Sequence, residues 1–80
     1  MVRLVKIHNK LNVQTELVGR DIVEKADVIA ELYTDSLSDL SGNEIEGLDT
    51  NRYTLTGGSY AYDKSFNIYV LDSSGSWHSV

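Results

Sequence analysis

The sequence predicts a small β-dominated domain, α+β at most, and three observations support this fold class. Apolar and polar residues alternate in two segments near the N-terminus, residues 2–7 and 11–17. Turn-forming residues separate short aromatic and β-branched segments throughout residues 59–80. Helical spacing of apolar residues is confined to residues 21–34. Period-two alternation is typical of half-buried strands, and 80 residues are enough for one domain over 1–80.

Two strands are predicted within residues 1–20. The first, VRLVKI (2–7), alternates apolar and basic side chains and is rich in β-branched residues. HNK (8–10) is a turn signal, because Asn tolerates left-handed backbone. LNVQTEL (11–17) then alternates regularly and ends before Gly19. One face of this second strand is predicted to carry Leu11, Val13, Thr15 and Leu17.

Residues 21–34 fit two interpretations, a short helix or a strand. The helix is favoured by apolar residues spaced three or four apart, and by Asp21 with Glu24, which match a capping box. VIAELY (28–33) also has the composition of a strand, so both interpretations stay open. The residues of the helical stripe are Ile22, Ala26, Ile29 and Tyr33, continued by Leu37 and Leu40.

Residues 35–52 are predicted to form a polar loop or arm. They are rich in Ser, Asp and Glu, with Ile45 and Leu48 as apolar anchors. A loop of this length is uncommon in a compact domain. We therefore expect it either to dock on a partner or to contain a short element of its own.

Residues 53–80 are predicted to form a C-terminal β-meander, whose three antiparallel strands cover residues 59–80. Asp63 and Asn67 suit the turn between the first two strands. Asp72 and Gly75 occupy the first and fourth positions of a type I turn before the last strand.

The middle strand of the meander, NIYVLD (67–72), is the strongest strand signal in the chain. Alternation places Ile68 and Val70 on one face and Tyr69 and Leu71 on the other. Trp77 is expected to pack across from this strand. The structural core of the meander is therefore predicted to contain Trp77, Ile68 and Val70.

Composition limits the classes of partner. The formal net charge is −5, which disfavours nucleic acid and anionic membranes, since Lys and Arg dominate contacts with both. No run of about 18 apolar residues occurs, so no membrane-spanning helix is expected. The chain has no Cys, and a core this small contributes roughly 3–5 kcal/mol. Stabilising contacts with other chains, including copies of itself, are therefore expected.

No catalytic, metal or cofactor site is predicted. His8 and His78 have no second ligand at zinc-site spacing. DTN (49–51) begins like a calcium loop, but Thr54 stands where that loop needs Gly. Ser59 follows Gly-Gly without the flanking pattern of a nucleophile elbow, so it is interpreted as part of a turn.

The aromatic residues are the candidate contact residues. A domain of this size cannot bury all of them, and Tyr and Trp are enriched at protein interfaces. The predicted interface residues are Tyr53, Tyr60, Tyr62, Phe66 and Tyr69.

The C-terminal segment GSYAYDKSFNIYVLDSSGSWHSV (58–80) resembles small proteins encoded among the structural genes of tailed phages and prophages. The similarity lies in Gly-Ser, a short strand with a small residue, a variable turn, an aromatic strand, a Gly turn and Trp. KADVIAELYTDSL (25–37) is similar to a stretch that precedes this pattern, with Tyr33 where proline is usual. The departure leaves helix and extended arm open for this segment.

The resemblance implies a virion component near the head, such as a head-fibre-like, decoration or head–tail protein. It implies no enzyme activity and no cofactor, and location in the virion after assembly in the host cytoplasm. The implied partners are capsid or other virion proteins and copies of the chain itself, with no nucleic acid and no membrane. Residues 1–20 and 35–52 would supply assembly contacts, and the meander an exposed knob.

Two alternatives come from other classes of protein. A carbohydrate-binding module would use Tyr and Trp as stacking platforms, with exposed coplanar rings around Trp77. An acidic regulatory or inhibitory protein would bind a basic host surface through clustered carboxylates, whereas the acids are scattered along this sequence.

Overall fold

The computed structural model describes residues 1–42 and 44–80. Within them the chain forms one mixed sheet of six strands. The strands are β1 (Val2–Val18), β2 (Asp21–Thr34), β3 (Tyr53–Leu55), β4 (Tyr60–Tyr62), β5 (Ile68–Leu71) and β6 (Trp77–Ser79). Their order in the sheet is β1-β2-β4-β5-β6, and β3 pairs with β2 beside β4. Strand and bridge residues make up 57% of the described residues, which confirms the predicted β-dominated class.

Strand β2 is the centre of the fold. One edge pairs antiparallel with β1 along its whole length, through a turn at Gly19, whose φ of +62° suits glycine. The other edge pairs in parallel with β3 at Ala26–Val28 and with β4 at Glu31–Tyr33. Between these two pairings, Ser59 Oγ accepts a hydrogen bond from the Ala30 amide at 3.0 Å. Residues from 53 to 62 therefore cover one edge of β2 without a gap at Ala30.

The helix favoured for residues 21–34 is wrong, because this segment is strand β2. Its buried side chains alternate with period two: Ala26, Val28, Ala30, Leu32 and Thr34. Ile29 and Tyr33, which the helical stripe grouped with Ala26, lie on the opposite face of the sheet. Pairing on both edges determines the strand conformation here, which local sequence does not reveal.

The turn predicted at residues 8–10 is also wrong, since β1 continues through it. The β1–β2 register shifts at three places, and each shift adds one residue to β1: between Leu4 and Lys6, Ile7 and Asn9, and Leu11 and Gln14. Such bulges bend a strand and change the face of the residues that follow. Asn12, with φ of +52°, lies in the third bulge. The regular alternation read from LNVQTEL is therefore interrupted.

Strands β4, β5 and β6 form the antiparallel meander predicted for the C-terminus. The predicted core assignment of Ile68 and Val70 is wrong, because they are 48% and 39% exposed. Tyr69 and Leu71 are buried instead, at 7% and 6% exposure. Tyr69 lies opposite Ala61, whose small side chain leaves room for the ring on the covered face.

Trp77 pairs with Leu71, as predicted, and its half-buried side chain packs against the core. The core lies on one face of the sheet, the covered face. Leu40, in a 3₁₀ turn over Ser38–Ser41, belongs to this core, and Ile45 packs against it. Leu48 is also buried. Of the two predicted anchors, Ile45 therefore contacts the core and Leu48 is buried. The molecule is elongated, with extents of 45 × 22 × 18 Å.

Candidate functional site

The outer part of the β1–β2 hairpin projects from the body of the domain, and we call residues 12–25 the arm. Pairing of β3 with β2 begins at Ala26, so β3 does not extend along the arm. Leu17 and Ile22 lie opposite each other near the tip and are 71% and 74% exposed. Val13 and Val18 are about half exposed. The arm thus presents apolar side chains to solvent.

The base of the arm is held by polar contacts centred on Glu24. Lys10 Nζ donates to Glu24 Oε1 at 2.8 Å, and the Tyr53 hydroxyl donates to the same oxygen at 3.0 Å. Arg52 Nε donates to the Glu24 carbonyl at 3.0 Å. The hydrogen bonds from Lys10 and Tyr53 lower the pKa of the Glu24 carboxyl. These contacts fix the direction in which the arm leaves the body.

A groove of about 1070 Å³ opens on the covered face of the sheet. We call it the groove. Its apolar lining residues include Leu37, which is 39% exposed, Ile45, Leu55, Leu71 and Trp77. Small and polar residues line it as well: Ser38, Ser41, Gly42, Thr50, Thr54, Gly75 and Ser76. The groove therefore mixes apolar and polar surface and is open to solvent.

The opposite face of the sheet carries a cluster of aromatic side chains around Glu31. The Tyr60 hydroxyl donates to Glu31 Oε1 at 2.8 Å, and His8 Nε2 lies 3.2 Å from the same oxygen. Hydrogen bonds, above all that from Tyr60, lower the pKa of Glu31, whereas the bond to Glu31 raises the pKa of Tyr60. Glu31 is held as a carboxylate, and its contacts brace the tyrosines rather than form a poised acid.

A second aromatic contact lies beside this cluster. The rings of Tyr33 and Tyr62 meet edge to face, with centroids 6.0 Å apart and an angle of 81°. The Arg3 guanidinium lies 5.4 Å from the Tyr33 ring centroid. Burial is the main cause of the raised pKa of Tyr62. These rings are packed against one another and form part of the body.

Two turns of the meander share one hydrogen-bond pattern. In the first, Asp63 Oδ1 accepts from the amides two and four residues later, at 2.9 and 3.1 Å. In the second, Asp72 Oδ1 does the same at 2.9 and 2.9 Å. The amide three residues later donates to each Asp carbonyl, and each Asp amide donates to the carbonyl four residues later. The two turns are therefore built alike, nine residues apart.

The other carboxylate oxygen of each Asp binds the side chain six residues later. The Tyr69 hydroxyl donates to Asp63 Oδ2 at 2.9 Å, and His78 Nε2 hydrogen-bonds Asp72 Oδ2. Hydrogen bonds, led by that from Asn67, lower the pKa of Asp63, and bonds led by the Ser74 hydroxyl strongly lower that of Asp72. Both carboxylates tie a turn to the strand that follows it.

The predicted interface residues fall into three groups. Tyr53, Tyr60 and Tyr62 are half-buried and make the contacts described above. Tyr69 is 7% exposed with its hydroxyl bonded to Asp63, so its assignment as an interface residue is wrong. Phe66 is 84% exposed. It also has a φ of +61°, the left-handed region in which a bulky side chain is strained.

The residues considered for chemistry occupy structural positions. Ser59 is fully buried, and its hydroxyl donates to the Thr56 carbonyl at 2.8 Å. Asp49 Oδ1 accepts from the Asn51 amide at 3.1 Å, which closes a turn. Within residues 1–42 and 44–80, no cluster of three His, Asp or Glu side chains could hold a metal ion. No helix in this part of the chain is long and apolar enough to cross a membrane.

Sequence reasoning missed the arm, the groove and the similarity of the two turns. The turns leave a signal, because DKSFNIYVL (63–71) and DSSGSWHSV (72–80) share Asp and Ser at the first and third positions. The exposure of the arm leaves no signal in the sequence, because Leu17 and Ile22 are residue types that usually lie in a core. Comparisons with family models, with curated proteins and with solved structures gave no match.

Proposed function

We propose that the chain is a non-enzymatic structural protein of a tailed-phage virion, which assembles on or near the capsid through protein–protein contacts. The observation that carries the proposal is the projecting arm with its exposed pair Leu17 and Ile22. The resemblance of residues 58–80 to small phage structural proteins supports the particle as the place of assembly.

The arm favours a partner for a thermodynamic reason. A two-stranded hairpin is marginally stable in water without a third strand or a packed face. Complete burial of a Leu or Ile side chain contributes roughly 1.5–3 kcal/mol. A partner that covers Leu17 and Ile22 would therefore both stabilise the arm and gain binding free energy from it.

Carbohydrate binding is supported less by the geometry. Trp77 packs against the core, and Tyr33 meets Tyr62 at 81°, so these rings do not form a flat stacking platform. The acids are less evenly scattered than expected, because residues 35–49 contain five carboxylates and no Lys or Arg, and this favours the acidic alternative. Two of them, Asp35 and Asp39, hold the Met1 amino group at 3.1 and 2.6 Å, which reduces the charge free for a basic partner.

Particle purification tests the proposal. Virions produced from a genome that carries this gene are banded by density and probed for the chain by mass spectrometry. The wild-type chain should co-purify with particles, and a Leu17→Thr/Ile22→Thr variant should be depleted from them. Thr keeps the preference for strand while removing most of the apolar surface.

Val70→Thr is the matched control, because Val70 is an exposed apolar strand residue on the body. It should be incorporated like the wild-type chain. Absence of the wild-type chain from purified virions would overturn the proposed function.

A further inference from the structure

The free edge of β1 is protected along the body of the domain. Three bulges interrupt it, and Lys6 and Lys10 lie along it. Near its start the edge is also covered, because Glu46 accepts a hydrogen bond from the Leu4 amide and donates one to the Val2 carbonyl. Bulges, lysines and covering segments are the features that prevent a sheet edge from pairing with another chain.

The same edge is unprotected in the arm beyond the third bulge. From Gln14 to Val18, β1 pairs with β2 residue by residue without a shift. This segment, QTELV, contains no Lys or Pro, and all five of its residues are exposed. Strand β1 is also the outer strand of the sheet. The arm therefore offers a regular strand edge to another strand.

The backbone groups of Thr15 and Leu17 point out of this edge. The Ala26 amide of β2 donates to the carbonyl that precedes β3, and so it points away from β1. Backbone groups alternate along a regular strand, so those of Glu24 and Ile22 also point away from β1. Thr15 and Leu17, which lie opposite these two residues, face the free edge.

The other edge of the arm, along β2, is obstructed. Arg52 Nε donates to the Glu24 carbonyl at 3.0 Å, and β3 begins to pair at Ala26. A strand added here would have to displace the Arg52 side chain, and it would meet the turn before β3. The edge of β1 is therefore the edge of the arm to which a strand can add.

We propose that the arms of two copies pair antiparallel along this edge of β1, around a twofold axis at Thr15. The inference deepens the proposed function, on which it rests, by naming a second copy of this chain as the partner of the arm. Each Thr15 amide donates to the Thr15 carbonyl of the other copy, so two marginally stable hairpins become one sheet of four strands. Both copies use the same surface, and the contact therefore closes as a dimer.

Charge and turn geometry select this register. The outward groups of Thr15 and Leu17 must meet each other or themselves, which leaves three symmetric registers. Pairing Thr15 with Leu17 would place Glu16 directly opposite Glu16 of the second copy, where like charges are destabilising. Pairing Leu17 with itself would place Thr15 opposite Gly19, whose φ of +62° belongs to the turn. Pairing Thr15 with itself avoids both.

The selected register also matches side chains between the copies. Gln14 lies opposite Glu16 of the second copy, twice in the dimer, and an amide side chain can donate to a carboxylate. Within its own hairpin Gln14 lies opposite Lys25, so the incoming carboxylate enters a row that already contains a base. Leu17 comes opposite Val13 of the second copy, and both are exposed in a single chain.

The distribution of charge favours contact between arms over contact between bodies. Residues 12–25 contain three acids and two bases, a formal charge of −1, so the rest of the chain carries −4. Paired arms bring together the less charged parts of two acidic chains and hold the bodies apart.

Sedimentation velocity over a wide range of concentrations tests the inference. The wild-type chain should form dimers, and Thr15→Pro should raise the apparent dissociation constant at least about tenfold. Proline removes the amide that bonds the second copy, yet it removes no hydrogen bond from the hairpin, because that amide faces away from β2. Dimerisation of Thr15→Pro at wild-type strength would overturn the inference.

Ser79→Pro, in the edge strand β6, is the matched control. The Val80 amide donates to the Ile68 carbonyl, so the Ser79 amide also faces a free edge of the sheet. This variant should dimerise like the wild-type chain. Circular dichroism verifies that both proline variants are folded.

Charge substitutions at Gln14 test the register. Gln14→Glu places a carboxylate opposite Glu16 of the second copy, and Gln14→Lys places a base there. The apparent dissociation constant should rise about fivefold for Gln14→Glu and fall about fivefold for Gln14→Lys. Lys25 lies opposite Gln14 in the same hairpin, so Gln14→Glu should not weaken the arm itself. Equal dissociation constants for the two variants would overturn the pairing.

Hydrogen exchange locates the contact. The Thr15 amide should exchange more slowly at high than at low protein concentration, since it gains a hydrogen bond in the dimer. The amides of Glu16 and Val18, which face β2, should change less. Unchanged exchange of the Thr15 amide in a dimeric sample would overturn edge pairing in favour of contact between the apolar side chains of the tip.

The inference and the proposed function fail differently. A wild-type chain that stays monomeric at several hundred micromolar, yet enters virions through its arm, overturns the inference and leaves the proposed function in place. Absence of the wild-type chain from virions overturns the proposed function, whatever the chain does in solution.

Discussion

Phe66 occupies, in the first turn of the meander, the position that Gly75 holds in the second. Both turns have the same four backbone and Asp hydrogen bonds. Both residues have positive φ, +61° for Phe66 and +89° for Gly75. One chain therefore contains the same turn with and without steric strain at this position, which makes the effect of the strain measurable.

We expect Phe66→Gly to raise the free energy of unfolding by about 0.5–1 kcal/mol. Left-handed backbone is unfavourable by roughly 1–2 kcal/mol for a residue with a Cβ, and Phe66→Gly removes this strain. The greater entropy of Gly in the unfolded chain offsets part of the stabilisation. Urea denaturation measures the change. Phe66→Ala, which keeps the Cβ, is the control and should gain little. An unchanged or lower stability for Phe66→Gly would contradict the prediction.

Phe66 also remains a proposed contact residue. If its ring contributes to assembly, the stabilised Phe66→Gly variant should be incorporated into particles less than the wild-type chain. Strain retained at an exposed aromatic residue is consistent with such a role. Wild-type incorporation of the variant would remove Phe66 from the interface.

The two faces of β5 are expected to differ sharply in their sensitivity to truncation. Leu71→Ala should lower the free energy of unfolding by about 2–5 kcal/mol, because it leaves a cavity beside Tyr69 and Trp77. The adjacent Val70→Ala, on the exposed face, should change it by less than about 0.5 kcal/mol. Thermal or urea denaturation of the pair measures both. Equal losses would contradict the burial of one face.

Ser59→Ala is expected to destabilise the protein by about 1–3 kcal/mol. The substitution leaves the buried Ala30 amide without its hydrogen-bond acceptor. It does so where the edge of β2 passes from β3 to β4. Ser73→Ala, in an exposed turn, is the matched control and should lie within about 0.5 kcal/mol of the wild-type chain. Hydrogen exchange of the Ala30 amide should become faster in Ser59→Ala.

Stability should fall as the pH is lowered below about 4. The folded-state pKa values of Asp63 and Asp72 lie below the ordinary 3.8. Their contribution is complete above that value and is lost as the pH falls through the folded pKa values. The lowered pKa values of Glu24, Glu31 and Asp39 act in the same direction.

An Asp63→Asn/Asp72→Asn variant separates the contribution of the turns. It should be less stable than the wild-type chain at pH 7 and lose less stability on acidification. Urea denaturation at intervals from pH 7 to pH 2 measures both slopes. Parallel curves for the two chains would show that these carboxylates do not account for the acid sensitivity.

Local sequence was sufficient for the features that depend on neighbouring residues. The turns at Asp63 and Asp72 and the hairpin order of the meander follow from residue types within a few positions. Ile45 and Leu48 were recognisable as anchors because they are isolated apolar residues in a polar segment. The helix expected at 21–34 failed because pairing with β3 and β4, more than twenty residues away, determines β2.

The sequence could not show which face of β5 is buried, because this too depends on contacts with residues far away in the chain. Alternation separated Ile68 and Val70 from Tyr69 and Leu71, but it does not say which face the 35–52 segment covers. Leu17 and Ile22 look like core residues, and only the three-dimensional fold shows that the body ends before it reaches them. The candidate site therefore lies where the sequence pattern predicted ordinary core.

The regularity of β2 also gives the arm an adjustable length. Side chains alternate with a period of two, so removing two residues from each strand shortens the arm by about 7 Å and leaves every remaining side chain on its original face. Removing one residue from each strand would move the side chains of the tip to the opposite face of the hairpin. In an assembly joined by arms, the spacing between neighbouring copies would therefore change in fixed steps of about 7 Å as the arm is shortened. A series of shortened chains would then show how the spacing of copies depends on the length of the arm.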